Sequence, residues 1–550
     1  MRPTVRASNC FCSADRADLL NSPFFPIFDK TLVMMKKEFN VTGTCNPQRH
    51  YMVDTPSRFE AVTRLIDGGQ YFTINRARQF GKTTLLNMIW RKLSGRYLVI
   101  PLSFEGVGDT AFETESGFVK MFIRQVSRYL TMVVKDSSLS SPWQDEKAGT
   151  MDGLSALVTE FCMAAPKPVV LTIDEVDKSA DNQLFLTFLG MLRNKYLERD
   201  TLGMASTFHN VILAGVYDIK NLKVKLRPNS EKKYNSPWNI AANFDVDMTF
   251  HPEEIARMLG DYEADNRTGM DIAAVSEEIY RYTGGYPVMV CQLCKSIDES
   301  LGRDWSSAGI KEAVKLLLTR ENILMDDLSK NLENYPDLRS FLYDISVNGV
   351  EYTWNMVDPM VKFASLFSYI RNDNNKVRIH NTIYEEALYY YYTSAFQREN
   401  AARLSPFQLN YIMGGRLNME YVLDRFSALM HQEYRVDDGE FLERQGRLVF
   451  LSFLKPIING RGFYYVEPQT RDNKRMDIVV NYGPEEFVIE LKLWRGEKYE
   501  QTGRKQLADY LAIRGREEGY LVTFDFTRDK TPTPPQWIEQ DGKRIFEVRV

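Results

Sequence analysis

The chain has 550 residues, of which 44% are hydrophobic and 26% are charged, and its formal net charge at pH 7 is −4. This length exceeds a single core and predicts three or four domains of roughly 100–200 residues each. No apolar run reaches the 18 or so residues that a bilayer-spanning helix needs, so we expect no membrane partner. The charge neither favours nor excludes nucleic acid, because a basic groove can lie on a mildly acidic protein.

The cysteines indicate a reducing compartment. Six of them lie scattered at positions 10, 12, 45, 162, 291 and 294, which is too few for a disulfide scaffold in a chain of this length and predicts a cytoplasmic protein. Cys291 and Cys294 form a CxxC, but no second CxxC or histidine pair completes a zinc site, so we expect core packing. The first residues, 1–36, lack the apolar segment of a secretory signal and are predicted to be a disordered extension.

Strand and helix patterns alternate between Phe59 and Leu222. Four apolar runs predict buried parallel strands, namely YFTI, YLVIPLSF, KPVVLTIDE and NVILAGV. The polar stretch from Asp136 to Gly153 is predicted to be a surface loop.

Helical patterns dominate the next part of the chain. The pattern is helical from Pro252 to Leu332, which predicts a lid over the sheet. Short helices then precede VRIHNTIYEEALYYYYTSAF, a strand that runs into a helix, and a small winged-helix-like unit fits this segment. A helical linker is expected to lead into the last region.

A phosphate-binding loop is indicated between the first strand and the helix that follows it. Gly81-Lys82-Thr83 supplies the second half of the P-loop pattern, in which backbone N–H groups cradle phosphates, the lysine reaches the β/γ-phosphates and the hydroxyl holds Mg²⁺. The first glycine of that pattern is replaced by Arg76. Glycine is favoured there because of its conformational freedom, so the motif alone leaves an ordinary basic helix start open.

A second motif supports the nucleotide site. The apolar strand VVLTI ends in Asp174-Glu175, which predicts a magnesium-binding aspartate and a water-activating glutamate at the phosphate end of the sheet. Tyr217-Asp218 follows the next strand and is a candidate γ-phosphate sensor, although a simple loop start is almost as good an interpretation.

Five segments in this order resemble a family of bacterial AAA-like P-loop ATPases with an Arg-Gln-Phe/Tyr-Gly-Lys-Thr core in the phosphate loop. They are EFNVTGTCNPQRHYMVD, YFTINRARQFGKTTLL, LTIDEVDKSADNQLFLTFLGMLRNKYLER, VILAGVYDIKNLK and SPWNIAANFDVDMTF. The resemblance implies an α/β ATPase core and a phosphate loop that has few glycines, as is common in that family. It implies that the ATP-binding residues are Arg76, Arg78, Gln79, Gly81, Lys82, Thr83, Thr84 and Asp174, with Thr83 and Asp174 as Mg²⁺ ligands and Glu175 as the catalytic base.

A second site is predicted near the C-terminus, in RMDIVVNYGPEEFVIELKLWRG. Gly and Pro at 483–484 mark the turn of a β-hairpin, which places Tyr482 opposite Glu485 and Asp477 opposite Glu490. Lys492 lies two residues beyond Glu490 and shares its face of the sheet. Opposed carboxylates in an apolar setting are costly unless a cation neutralises them, which predicts a Mg²⁺ site.

The pattern Asp…Glu-x-Lys resembles the PD-(D/E)XK nuclease superfamily, whose core order of helix, three strands, helix and strand is also predicted here. The resemblance implies that Glu443, Asp477 and Glu490 hold the metal, that Lys492 is catalytic and that Gln506 contacts the site or the nucleic acid. Met476 departs from members that have proline there. Basic residues around the hairpin could meet phosphates; they are Arg471, Lys474, Arg475, Lys498, Arg504 and Lys505.

The predicted architecture is therefore an α/β P-loop AAA-like core with further domains. The N-terminal extension at 1–36 is followed by the ATPase core (37–251) and the helical lid (252–333). The winged-helix-like unit (334–400), the linker (401–417) and the restriction-endonuclease-like domain (418–550) come next. We expect an ATPase fused to a Mg²⁺-dependent nuclease that acts on DNA rather than RNA, and both a monomer and a homo-oligomer stay open. A nucleotide switch that binds nucleic acid without cutting, and a purely structural role for both sites, remain alternatives.

Overall fold

The computed structural model describes most of the chain, in thirteen segments. They are 36–53, 55–144, 149–178, 182–202, 207–216, 238–348, 350–399, 411–433, 443–458, 462–466, 478–494, 496–525 and 533–550. The predicted N-terminal extension lies outside the described residues except for its last residue, and so does the candidate sensor Tyr217-Asp218.

The four predicted parallel strands are confirmed. They are β1 Phe72–Asn75, β2 Leu98–Ser103, β3 Val169–Asp174 and β4 Asn210–Gly215, and they pair in parallel in the order β1-β4-β3-β2. Every residue of β3 and β4 is buried, as expected for the centre of a parallel sheet covered on both faces. Because the strands are parallel, their carboxyl ends meet at one edge of the sheet.

In the described residues, six α-helices precede or connect these strands. They are α1 Pro56–Asp67, α2 Lys82–Leu93, α3 Glu115–Tyr129, α4 Ser137–Ser140, α5 Met151–Ala164 and α6 Gln183–Leu202. The predicted surface loop between Asp136 and Gly153 was wrong in its described part, because it contains α4 and a turn that buries Trp143. The indole packs against Phe122 and Phe161, so two aromatic partners hold this polar stretch on the core.

The helical region after the sheet contains five helices, as its pattern predicted. They are α7 Pro252–Asn266, α8 Ile272–Thr283, α9 Pro287–Ser300, α10 Ser307–Thr319 and α11 Ile323–Asn334. The double glycine before α9, Gly284-Gly285, has positive φ angles. An added Cβ at Gly285 would lie 2.2 Å from the carbonyl oxygen of Phe250, so a larger residue does not fit. Cys291 and Cys294 are buried free thiols on α9, which confirms core packing.

A helix-rich unit with a small hairpin follows. It consists of α12 Pro336–Ser346, α13 Pro359–Leu366, β5 Ile370–Asp373, β6 Lys376–Ile379 and α14 Thr382–Glu399. The strand that runs into a helix is therefore found as β6 and α14. Asn374 and Asn375 both have positive φ and make the tight turn between β5 and β6.

The helical linker was wrong for residues 411–417. These form a short hairpin, β7 Ile412–Met413 and β8 Arg416–Leu417. Gly414 and Gly415 both have positive φ, and two such residues in succession favour a two-residue hairpin turn over a helix.

The C-terminal part is a sheet with helices on both faces. It contains α15 Met419–Glu433, α16 Glu443–Ile458, β9 Gly462–Val466, β10 Ile478–Tyr482, β11 Glu485–Leu493, α17 Glu497–Ile513, β12 Glu518–Phe524, β13 Gln536–Gln540 and β14 Lys543–Arg549. The strand order is β13-β14-β12-β11-β10-β9, with β11, β12 and β14 parallel to one another. The predicted order of elements, from α16 to β12, is found.

The two faces of this sheet have different partners. Val488 and Leu521 pack with Leu507 and Leu511 of α17, whereas the opposite face joins the main core that includes α16. None of the helices in the described part of the chain combines the length and apolar composition that crossing a bilayer requires.

Candidate functional site

The phosphate loop does not need a glycine at position 76. Arg76 continues the pairing of β1, since its N–H donates to the carbonyl of Gly215 at 3.2 Å. The left-handed conformations of the loop fall instead at Gln79 and Gly81, with φ of 56° and 84°. Because the backbone at Arg76 is an extension of the strand, a side chain causes no strain there.

Lys82 begins α2 and is held inside the loop. Its Nζ donates to the carbonyl oxygens of Arg76 and Ala77, each at 3.0 Å. Gly81, the N-cap residue of α2, has no side chain with which to cap the helix, so the first N–H groups are available to an anion. Burial lowers the pKa of Lys82, and Asp177 and Glu175 are the strongest of the neighbouring charges that oppose this.

The predicted magnesium ligands lie together. The hydroxyl of Thr83 donates to Oδ2 of Asp174 at 2.5 Å. A hydroxyl of α2 and a carboxylate of β3 therefore contact each other at the edge of the sheet. Hard oxygen donors of this kind fit Mg²⁺. The next residue, Glu175, has a φ of 54° and donates its N–H to Oδ1 of Asp174 at 3.0 Å. Burial raises the pKa of Glu175, and Lys82 opposes this.

Two other predicted ATP ligands form hydrogen bonds within the protein, and a third has a buried acceptor without a partner among the described residues. The guanidinium of Arg76 donates to the backbone carbonyls of Asn75 and Val246, at 2.8 and 2.9 Å. The hydroxyl of Thr84 accepts the N–H of Cys45 at 3.3 Å. Oε1 of Gln79 is buried and has no hydrogen-bond partner among the described residues. Of the three side chains, Gln79 therefore has the acceptor that most needs a further partner, and ATP binding by all three stays a prediction.

The phosphate loop also contacts the helical lid, which the sequence did not predict. The hydroxyl of Tyr286, before α9, donates to the carbonyl of Arg78 at 2.7 Å, and its ring packs edge-on against Phe80. The guanidinium of Arg78 lies 3.3 Å from Oδ1 of Asp327 on α11. These partners are separated by more than 200 residues, so no local pattern could have linked them.

The C-terminal hairpin has the predicted register. Tyr482 lies opposite Glu485, and the described ladder ends with Ile478 opposite Ile489. Asp477, the next residue outward, lies outside the described residues. Glu490 and Lys492 are both buried, and Nζ of Lys492 lies 2.6 Å from Oε1 of Glu490. The structure thus brings together two of the three predicted hairpin residues.

The helix α17 covers Lys492. An added Cβ at Gly503 would lie 3.4 Å from Cγ of Lys492, so the lysine stem lies directly beneath this turn of the helix. Gln506 lies one turn further along α17 and is partly buried. Glu443 is the first residue of α16, and its side chain lies outside the described residues. The roles of Gln506 and Glu443 stay predictions.

One of the proposed phosphate contacts forms ion pairs within the described residues, and its role stays a prediction. The guanidinium of Arg504 is paired with the carboxylates of Glu547 and Glu500, so it stabilises the packing of α17 on the sheet. Lys505 remains exposed. Arg471, Lys474 and Arg475 and the side chain of Lys498 lie outside the described residues.

Within the described ranges, no cluster of three or more histidine, cysteine or acidic side chains has the arrangement of a metal site. The support for the two predicted magnesium sites is therefore limited to the chemistry of the oxygen ligands in the described residues. At the first site a hydroxyl and a carboxylate fit a Mg²⁺ ion that keeps several of its waters. At the second site one carboxylate, Glu490, is described beside a lysine.

Three solved structures are similar to the chain at low identity. A Walker-type ATPase of Pyrococcus abyssi shares 13% identity with a TM-score of 0.45, covering 64% of this chain and 99% of that one. The ORC2 protein of Aeropyrum pernix, in ADPNP-ADP complexes, shares 13% with a TM-score of 0.34, covering 65% and 96%. The ORC1 protein of Aeropyrum pernix, in complex with DNA, shares 11% with a TM-score of 0.30, covering 62% and 93%.

No curated protein shows significant sequence similarity to the chain. The family model described as an AAA-like domain matches residues 43–387, which is more than half of the sequence. That range contains the phosphate loop, the acidic strand end and the lid whose geometry is given above. The chain therefore belongs to the AAA-like domain family and is a nucleotide-binding, P-loop ATPase-like protein.

Proposed function

We propose that this protein hydrolyses ATP with Mg²⁺ and that its nucleotide state controls a metal-dependent nuclease in the C-terminal domain, with DNA rather than RNA as the substrate. The observation that carries the proposal is a buried lysine in each candidate site: Lys82, which the carbonyls of the phosphate loop hold, and Lys492, which lies beside the carboxylate of Glu490.

The ATPase part is supported by the roles that the geometry allows. Lys82 exchanges its two neutral carbonyl partners for phosphate oxygens, and the open start of α2 adds N–H donors. Thr83 and Asp174 hold the magnesium ion, which would neutralise the phosphate charge. Glu175 orients and deprotonates the attacking water.

The nuclease part is supported by the register of the hairpin. If the register of the described ladder continued for one more pair, Asp477 would face Glu490 and two carboxylates would lie beside Lys492. Such a set would hold Mg²⁺, while the lysine would stabilise the charge that develops on the phosphate in the transition state. The metal would supply a Lewis acid for phosphodiester hydrolysis.

A continuous set of contacts supports control of one site by the other. The ring of Tyr286 packs against Tyr384 at the start of α14. At the other end of α14, Gln397 donates to the carbonyl of Ser452 on α16 at 2.6 Å. The helix α16 begins at Glu443, a predicted metal ligand, so movement of the lid would be transmitted to the second site.

The test is a cleavage assay with the purified full chain on linear and circular DNA, with Mg²⁺ or Mn²⁺, in the presence and absence of ATP. We expect Lys492→Ala to lower cutting at least about 100-fold, whereas Arg544→Ala, an exposed arginine of β14, leaves it within about twofold. We expect Lys82→Ala to abolish ATP hydrolysis and the ATP dependence of cutting, and Arg91→Ala on the same helix to change neither.

A nucleotide switch is the second candidate, because the same lid contacts would also serve to recruit a partner. It predicts ATP binding together with nucleic-acid binding but no cutting. Cleavage of neither DNA nor RNA by the wild type under any of these conditions would replace the nuclease proposal by the switch.

A further inference from the structure

Asp177 is an acidic residue of the first site to which no role has been given above. It lies in the single turn Val176–Lys178, directly after β3 and the acidic pair. Its Oδ2 accepts the N–H of Val216 at 2.7 Å. This hydrogen bond ties the turn that carries Glu175 to the end of the neighbouring strand β4.

Gly215, the last residue of β4, makes room for this carboxylate. An added Cβ at Gly215 would lie 2.7 Å from Oδ1 of Asp177 and 3.0 Å from Cγ2 of Val176. A side chain at Gly215 would therefore push the turn away from the strand. The carbonyl of Gly215 also accepts the N–H of Arg76, so the end of β4 joins the acidic turn to the start of the phosphate loop.

The conformation of Glu175 explains why such an anchor is needed. Its φ of 54° lies in the left-handed region, which is strained for a residue with a side chain and persists only where the surroundings hold it. On one side, Glu175 donates its N–H to Asp174. On the other side, the chain is fixed two residues later by the bond from Asp177 to Val216. The strained residue therefore lies between two anchors.

We propose that Asp177 is a positioning residue for ATP hydrolysis: by bonding Val216 across Gly215, it holds the turn in which Glu175 points its carboxylate at the attacking water. The proposal rests on the ATPase function proposed above. Asp177 itself does not touch the reacting atoms; it acts through the backbone of the turn. Loss of the anchor lets Glu175 relax to a right-handed conformation and moves its carboxylate out of line, which slows the chemical step without removing the phosphate loop.

The experiment compares steady-state ATP hydrolysis by the full chain for the wild type, Asp177→Ala, Asp177→Asn and Gly215→Ala. Because only the position of Glu175 is lost, we expect Asp177→Ala and Gly215→Ala to lower kcat about tenfold or more while KM for ATP changes less than about twofold. Asn keeps a side-chain oxygen that can accept from Val216, so Asp177→Asn should recover kcat to within about threefold of the wild type. Asp152→Asn, an exposed acid on α5, is the matched control.

Each result has one meaning. An unchanged kcat in Asp177→Ala overturns the positioning role while the ATPase stands. A fall in kcat together with an equally large rise in KM for ATP overturns it as well. A loss in Asp177→Asn as large as that in Asp177→Ala also overturns it, because the charge and not the anchor would then matter. If Gly215→Ala fails to fold, the two Asp177 variants still decide. A wild type that hydrolyses no more ATP than Lys82→Ala removes both the ATPase and this inference.

Discussion

The two candidate sites hold their buried lysines in different ways. Lys82 donates to two neutral backbone carbonyls and, within the described chain, has no acid within ion-pair distance. Lys492 is paired directly with the carboxylate of Glu490. A lysine held by carbonyls gains charge neutralisation when an anion arrives, whereas a lysine already paired must share its partner. The lysine of the first site is thus open to an anionic ligand, whereas at the second site the charge of Glu490 is matched by Lys492.

The largest effect should come from breaking the pair at the second site. Lys492→Met removes the lysine that lies 2.6 Å from the buried carboxylate of Glu490, which we expect to lower the free energy of unfolding by about 3–5 kcal/mol. Adding Glu490→Gln should recover most of this loss without restoring cleavage. Urea denaturation of both variants measures the effect, with Lys505→Met as the control, and equal stability of the single and double variants would contradict it.

Acid should destabilise the folded chain through His380, which lies between β6 and α14. Burial lowers the pKa of His380 to about 4, and Arg371 contributes; its ring packs edge-on against Tyr286. Because the unfolded chain takes up the proton near pH 6.5 and the folded one only near pH 4, stability is lost as the pH falls through this window. We expect a loss of up to roughly 3 kcal/mol.

Chemical denaturation across that pH window measures this effect. His380→Gln should remove the pH-dependent part, since glutamine does not titrate. The same pH dependence in wild type and variant would show that other groups cause it.

The contrast between the lysines is sharpened by making the same substitution at the first site. Lys82→Met removes a buried charge that has only neutral partners and more distant acids, so the free energy of unfolding should change by less than about 1 kcal/mol in either direction. A loss as large as that of Lys492→Met would mean that the acids around Lys82 pair with it closely, and the comparison would fail.

The smallest effect is expected for the contact between the phosphate loop and the lid. Arg78 is 67% exposed, so its pair with Asp327 should contribute about 0.2–1 kcal/mol in a double-mutant cycle of Arg78→Ala and Asp327→Ala, and less in high salt. If Arg78 leaves Asp327 for phosphate, saturating ATP should abolish this coupling. A coupling energy that is the same with and without ATP would exclude Arg78 as a phosphate ligand.

Most of the elements were predictable because their signals are local. Periodic apolar residues gave the parallel strands and the lid helices, and Gly483 fixed the register of the C-terminal hairpin through its turn. The errors arose where local polarity and long-range packing disagree. The polar stretch around Trp143 is held by distant aromatic rings. The ion pair of Arg504 with Glu547 on β14, 43 residues away, was likewise not predicted.

The sequence by itself determined which chemical groups are present: the Gly-Lys-Thr loop, the acidic pair after an apolar strand and the Glu-x-Lys hairpin. The tertiary structure decided which of them meet and how. It placed Thr83 against Asp174, anchored Asp177 on Val216 and set Tyr286 on the phosphate loop. It also showed that the phosphate loop needs no glycine at position 76, because that position continues a strand. The physical reason is that backbone conformation and contacts between distant segments depend on the packed chain, whereas periodicity and turn preference are properties of neighbouring residues.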